Sequence, residues 1–224
     1  MELRGESTRL LTPDHNDMNV PPEGRKADGK GTAGNEPFAR RIHRRAGVSP
    51  GSPLGHGGER LHEWMFTGKS AAESQSFETD HFSGVGALIM GRRMADVGIG
   101  PWGDEPTFHA PCFVVTHRPA ETIIKRGGTS YMFVTEGIPV ALQKAQQAAQ
   151  AKDVLVNGGG DIGSQCLNSG VVDEIRLHLV PVVLGAGTRL FDGVRSDVRL
   201  VPSTATSSPL APHLIYAVER STAR

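Results

Sequence analysis

Residues 153–167 read DVLVNGGGDIGSQCL. The apolar run Val154 to Val156 has the length and β-branched character of a buried strand, and Gly158, Gly159 and Gly160 end it abruptly. Asp161 and Ile162 then lead through Gly163 into a run with helical character, so the stretch satisfies G-x-G-x-x-G in a strand, turn and helix context. Without Cβ atoms the backbone can approach a ligand closely, and the unsatisfied amides of a helix start suit a pyrophosphate. The same pattern also serves a tight strand-to-helix turn with no ligand. An acid about 20 residues on, which a dinucleotide-binding Rossmann unit would use, has only imperfect candidates in Asp173 and Glu174, so an ordinary Rossmann domain is not indicated.

Outward from this stretch the alternation repeats. GALIMG (86–91), PCFVVTH (111–117) and SYMFVT (130–135) read as strands, and PVALQKAQQAAQA (139–151) as a helix whose glutamine-rich patch suits a solvated face. IGSQCLNSG (162–170) is a helix, and VDEIRLHLVPVVLG (172–185), VRLVPSTATS (198–207) and HLIYAVER (213–220) are strands. Strands separated by helices imply an α/β protein, a three-layer, mostly parallel mixed sheet flanked by helices, whose closing strands add an antiparallel edge.

Residues 1–57 carry few aliphatics and no sustained period, so they are expected to be a disordered or aberrant N-terminal segment ahead of a domain at 58–224. Lys+Arg and Asp+Glu number 24 each, so no global field draws a polyanion and a nucleic-acid partner is not expected. Cys112 and Cys166 lack CxxC spacing, which argues against a disulfide framework or structural zinc, and no metal site is expected. No run reaches the ~18 apolar residues of a membrane span, and the N-terminus lacks a signal peptide's apolar core. A soluble, cytoplasmic protein without membrane contact is the expectation.

Two further strand ends carry phosphate-friendly chemistry. At GALIMGRRM a strand ends on Gly91, and Arg92 and Arg93 open a helix, which sets guanidiniums beside exposed amides and suits a phosphate such as the 2′-phosphate of NADPH. At VVTHRP, Thr116, His117 and Arg118 stand at a strand's carboxyl end, where α/β sheets bind ligands. Other signals fail. EWMFTGKS has Glu63 where a P-loop needs glycine, and His62 has Phe66, not a second histidine, four positions on. His178, inside an alternating strand, reads as a packed or exposed strand residue. Glu59, His62 and Glu63 could protonate a heterocycle, although an amphipathic surface helix with Leu61, Trp64 and Met65 inward explains them better.

GALIMGRRM, FVVTHRP, DVLVNGGGDI and GVVDEIRLHLVPVVLGAGTRLFDG together resemble, in order and spacing, the dihydrofolate-reductase-like superfamily. Within it they are similar to bacterial proteins related to the C-terminal reductase domain of riboflavin biosynthesis, over roughly Pro53 to Arg220. The resemblance implies an eight-stranded mixed sheet, NADPH as hydride donor, a pterin- or flavin-precursor-like substrate, and a homodimer through the C-terminal strands. It also implies that Gly91, Arg92 and Arg93 meet the adenosine phosphates and that Thr116, His117 and Arg118 line the adenosine side. Gly158, Gly159, Gly160, Asp161 and Ile162 would cradle the pyrophosphate and nicotinamide. Met94, where dihydrofolate reductases place a phosphate-binding threonine, favours the riboflavin-like branch. No catalytic residue is indicated.

The front of the chain departs from that family, whose members begin with a strand running into a segment like Ser-Leu-Asp-Gly-Phe-Ile-Ala-Gly-Pro. Here FARRIHRR (38–45) puts four arginines and a histidine into six positions. One permitted coding of Phe38 to Gly47 is TTC GCT CGA CGG ATT CAT CGC CGG GCC GGN. Begun one base later it reads TCG CTC GAC GGA TTC ATC GCC GGG CCG, which encodes that segment. The arginines are then expected to be the family's first strand in the wrong frame, with a second shift before Pro53. The competing readings are a non-catalytic nucleotide-binding protein with a basic N-terminal arm, and an inactive frame-shifted product.

Overall fold

The structure is a computed structural model, and it describes residues 8–11, 42–44, 55, 58–61, 82, 84–158, 160–183, 188–206 and 211–219. Among the described residues eleven strands lie in chain order: β1 Thr8–Leu11, β2 Ile42–Arg44, β3 Val85–Gly91, β4 Pro111–Val115, β5 Ile123–Ile124, β6 Ser130–Val134, β7 Asp153–Asn157, β8 Glu174–His178, β9 Thr188–Arg189, β10 Arg199–Thr206 and β11 His213–Glu219. Three α-helices are described: α1 Arg92–Gly98, α2 Ile138–Ala149 and α3 Gly160–Asn168. The main sheet has nine strands in the order β10-β11-β8-β1-β7-β3-β4-β6-β5. Neighbours from β8 through β6 are parallel, whereas at the edges β5 pairs antiparallel with β6, β11 with β8 and β10 with β11. The expected mostly parallel sheet with an antiparallel closing edge is the one observed.

The central strands are apolar because they are buried on both faces. On β3, Ala87 and Ile89 join the core on one side, with Val154, Val156, Ile162 and the α2 alanines. Leu88 and Met90 join the other, with Cys112, Val114, Tyr131 and Leu155. Helix α2 lays Ile138, Ala141, Ala145 and Ala149 against the sheet at helical spacing, so the glutamine-rich patch is half core and half solvent. Small residues permit that close approach: a Cβ on Gly86 would stand 2.6 Å from the Ala149 Cα.

Within residues 1–57 two short strands are described, and β1 lies between β7 and β8 in the main sheet. Both neighbours present unpaired backbone donors and acceptors there, so a short extended segment satisfies them even without an apolar pattern. Ile42–Arg44, the described part of the arginine-rich stretch, pairs antiparallel with β9 in a separate two-stranded sheet. At the other end of the sheet β10 is mostly exposed and carries Pro202 and a register shift, devices that blunt strand edges. β8 also stops at His178, short of the expected run, and past Leu179 and Val180 stands Pro181, which lacks a ladder donor.

Candidate functional site

The carboxyl ends of β3, β4, β6 and β7 point to one edge of the sheet, and the segments that leave them enclose a cleft of about 610 Å³. Its walls are Gly91, Arg92, Arg93 and Met94 after β3, Val115, Thr116, His117 and Arg118 after β4, Thr135, Gly137 and Ile138 after β6, and Gly160, Asp161, Ile162 and Gln165 on α3. Ligands bind at this edge of parallel sheets because loops diverge there and helices begin there.

Helices α1 and α2 both start at the cleft without a side-chain cap. Their N-caps are Gly91 and Gly137, which have no side chain to cap with, and neither helix has an acid in its first turn. A glycine N-cap leaves room for an anionic ligand to approach a helix start. Gly137 has φ 91°, a conformation that excludes most side chains, and Pro139 follows at the helix start where its missing N–H costs nothing.

The cationic wall is organised. Arg92 Nε donates to Asp96 Oδ1 at 2.7 Å, and its Nη1 donates to the Arg118 carbonyl at 3.2 Å. Its guanidinium carbon lies 5.0 Å from the centre of the Phe133 ring. Thr116 is buried, and its hydroxyl accepts from the Arg118 backbone N–H at 3.0 Å, which fixes the turn that carries His117 and Arg118 into solvent. On the opposite wall, Gln165 Nε2 donates to Asp161 Oδ1 at 3.2 Å, one helical turn apart. Beside the cleft, the Glu136 carboxyl is held below its ordinary range by its own backbone N–H, by Lys144 and by the Thr135 backbone N–H.

Of the residues expected at a cofactor site, Gly91, Arg92, Arg93, Thr116, His117, Arg118, Gly160, Asp161 and Ile162 line this cleft. Gly158 does not: a Cβ there would stand 2.6 Å from Ile162 Cγ2, so its bare backbone seats α3 against β7. Gly159 lies outside the described residues, as do His62, Glu63, Trp64, Met65 and the Glu59 side chain. The wall after β6 was missed by sequence reasoning, although Gly-Ile-Pro after an apolar strand signals a helix start. His178 is buried on β8 with its Nδ1 2.5 Å from that of His213, away from the cleft walls. Both cysteines are free and buried, and burial pushes the Cys166 thiol up to about 12 and Cys112 higher still, which removes them as nucleophiles. Among the described residues no helix is long and apolar enough to cross a membrane, and no cluster could hold a metal.

The mostly parallel mixed sheet flanked by helices has a dihydrofolate-reductase-like α/β fold. Over residues 56–210 the chain matches the RibD C-terminal domain family, and it belongs to that family of reductases. It is 26% identical over 149 residues to the uncharacterized protein YyaP of Bacillus subtilis (strain 168), a match covering 62% of this chain and 77% of that protein. A pyrimidine reductase-like protein of Corynebacterium diphtheriae superposes with a TM-score of 0.54 at 13% identity, covering 96% of this chain and 93% of that one. RibD of Acinetobacter baumannii superposes with a TM-score of 0.57 at 14% identity, covering 96% of this chain but 58% of that longer one.

Proposed function

We propose that the protein is an NADPH-dependent reductase of a pterin- or flavin-precursor-like small molecule, acting in the cytoplasm as a homodimer. The observation that carries this reading is a cleft where two glycine-capped helix starts, one of them bearing Arg93, meet the wall of His117 and Arg118 after β4. Such a cleft fits a bisphosphate flanked by planar rings: amides and cations answer phosphate charge, while Met94, Val115, Ile138 and Ile162 offer apolar surface.

In this reading Gly91 and Gly137 bring helix amides to the phosphates, and Arg93, His117 and Arg118 hold the adenosine end. Gly160, Asp161 and Ile162 border the ring end, and Ile162, seated by Gly158, excludes water from it. NADPH supplies the hydride. Positioning does most of the remaining work, because hydride transfer needs alignment more than a strong acid. The dimer would form through the sheet's C-terminal strands, with the polar edge of β10 directing contact to the strand faces.

The test is loss of reduced-nicotinamide absorbance with a panel of pterins and ribosylated pyrimidines as acceptors. Turnover with NADPH and one acceptor is expected. NADPH binding with no turnover across the panel would favour nucleotide binding without catalysis, and no binding would overturn the reading.

A further inference from the structure

Asp96 stands one turn along α1 from Arg92 and, unlike Arg92 and Arg118, does not line the cleft. Its two oxygens are divided between those arginines. Oδ1 accepts from Arg92 Nε at 2.7 Å and Oδ2 accepts from Arg118 Nη2 at 3.4 Å. Arg92 closes the triangle by donating to the Arg118 carbonyl at 3.2 Å. One carboxylate thus ties the helix after β3 to the turn after β4, across the cationic end of the cleft.

This arrangement has a cost for a phosphate. A monoester phosphate carries about −1.5 to −2 charge near neutral pH, so it gains from each guanidinium and loses from a carboxylate held directly behind them. Arg92 has already spent its Nε donor and one Nη1 donor within the triangle, and its face is turned to Phe133. Asp96 and Arg118 are 42% and 72% exposed, so water weakens the tether and the carboxylate acts through charge more than through rigidity.

We propose that Asp96 is a specificity-determining residue of this cleft, which holds back the preference for a 2′-phosphorylated dinucleotide over its unphosphorylated counterpart. The proposal rests on the reading of the cleft as an NADPH site. Asp96→Asn keeps the shape and one acceptor oxygen while removing the charge. At low salt a single charge a few ångströms from a dianion changes affinity about three- to tenfold, and salt screens it. NADPH is therefore expected to bind the full-length D96N protein about three- to tenfold more tightly than wild type, with NADH affinity unchanged and the gain fading by molar salt. Asp197→Asn removes an acid paired with Arg195 outside the cleft and is expected to change neither affinity.

Titration of both dinucleotides against wild type, D96N and D197N at low and high salt tests this. Weaker NADPH binding by D96N, equal changes for NADPH and NADH, or the same gain in D197N would overturn it. If wild type bound neither dinucleotide, the reading of the cleft would fall and this inference with it. If wild type bound NADPH but D96N were indistinguishable from it, only the role of Asp96 would fall.

Discussion

Gly158→Ala separates a glycine needed for packing from one needed for a ligand. The added methyl would lie 2.6 Å from Ile162 Cγ2, with the Gly91 backbone N at 3.8 Å, so the strain falls on one identified side chain. Ile162 is 6% exposed in the core between α3 and the sheet and cannot swing into solvent freely. Overpacking of this kind costs about 1–3 kcal/mol, and for a domain of this size each kcal/mol lowers the melting temperature by about 2–4 °C. Ile162→Ala alone should cost about 2–5 kcal/mol through the cavity it leaves. The double variant G158A/I162A should be less destabilised than the sum by about 1–2 kcal/mol, because the new methyl occupies part of that cavity. Urea denaturation of the four proteins gives the cycle. Strict additivity would refute the packing role of Gly158, and so would a G158A single variant as stable as wild type.

Acid should weaken the C-terminal edge of the sheet. Desolvation lowers the pKa of His213 below 6.5, so the unfolded chain binds a proton there that the folded chain does not, and stability rises with pH between the lowered value and 6.5. The melting temperature is expected to fall on acidification through that window and H213Q to flatten the fall; an identical acid slope in H213Q would count against it. The gene offers a separate test. If the bases encoding Phe38 to Gly47 permit Ser-Leu-Asp-Gly-Phe-Ile-Ala-Gly-Pro one base on, restoring that frame should raise both melting temperature and NADPH affinity, whereas incompatible bases end the idea. Sedimentation at micromolar concentration should give a dimer, and monomer alone would contradict the proposed assembly.

Long apolar runs made β3, β4, β6 and β7 legible, because strands buried on both faces need nothing but apolar residues. The same runs located three walls of the cleft, since each ended in glycine or in polar and cationic residues. Short strands were not legible. β1, with Thr-Arg-Leu-Leu, and β5, with two isoleucines, are defined by the partners they satisfy rather than by a pattern of their own. The arginines looked interchangeable in the sequence, yet Arg92 is held by Asp96 while Arg118 carries its side chain mostly in solvent. That distinction depends on a turn fixed by Thr116 and on the approach of α1 to it, neither of which spacing reveals. Gly158 differs in the same way: its glycine signal was visible, but its neighbour Ile162 is brought beside it only when α3 packs on β7.

Backbone amide exchange on the full chain with and without saturating NADPH tests the central claim most directly, because it reports binding and location together. Slowed exchange is expected at Arg92 to Met94, His117 to Arg118, Gly137 to Ile138 and Gly160 to Ile162, with the β10 and β11 amides unchanged. Unaltered exchange throughout, or protection confined to segments outside these four walls, would contradict it.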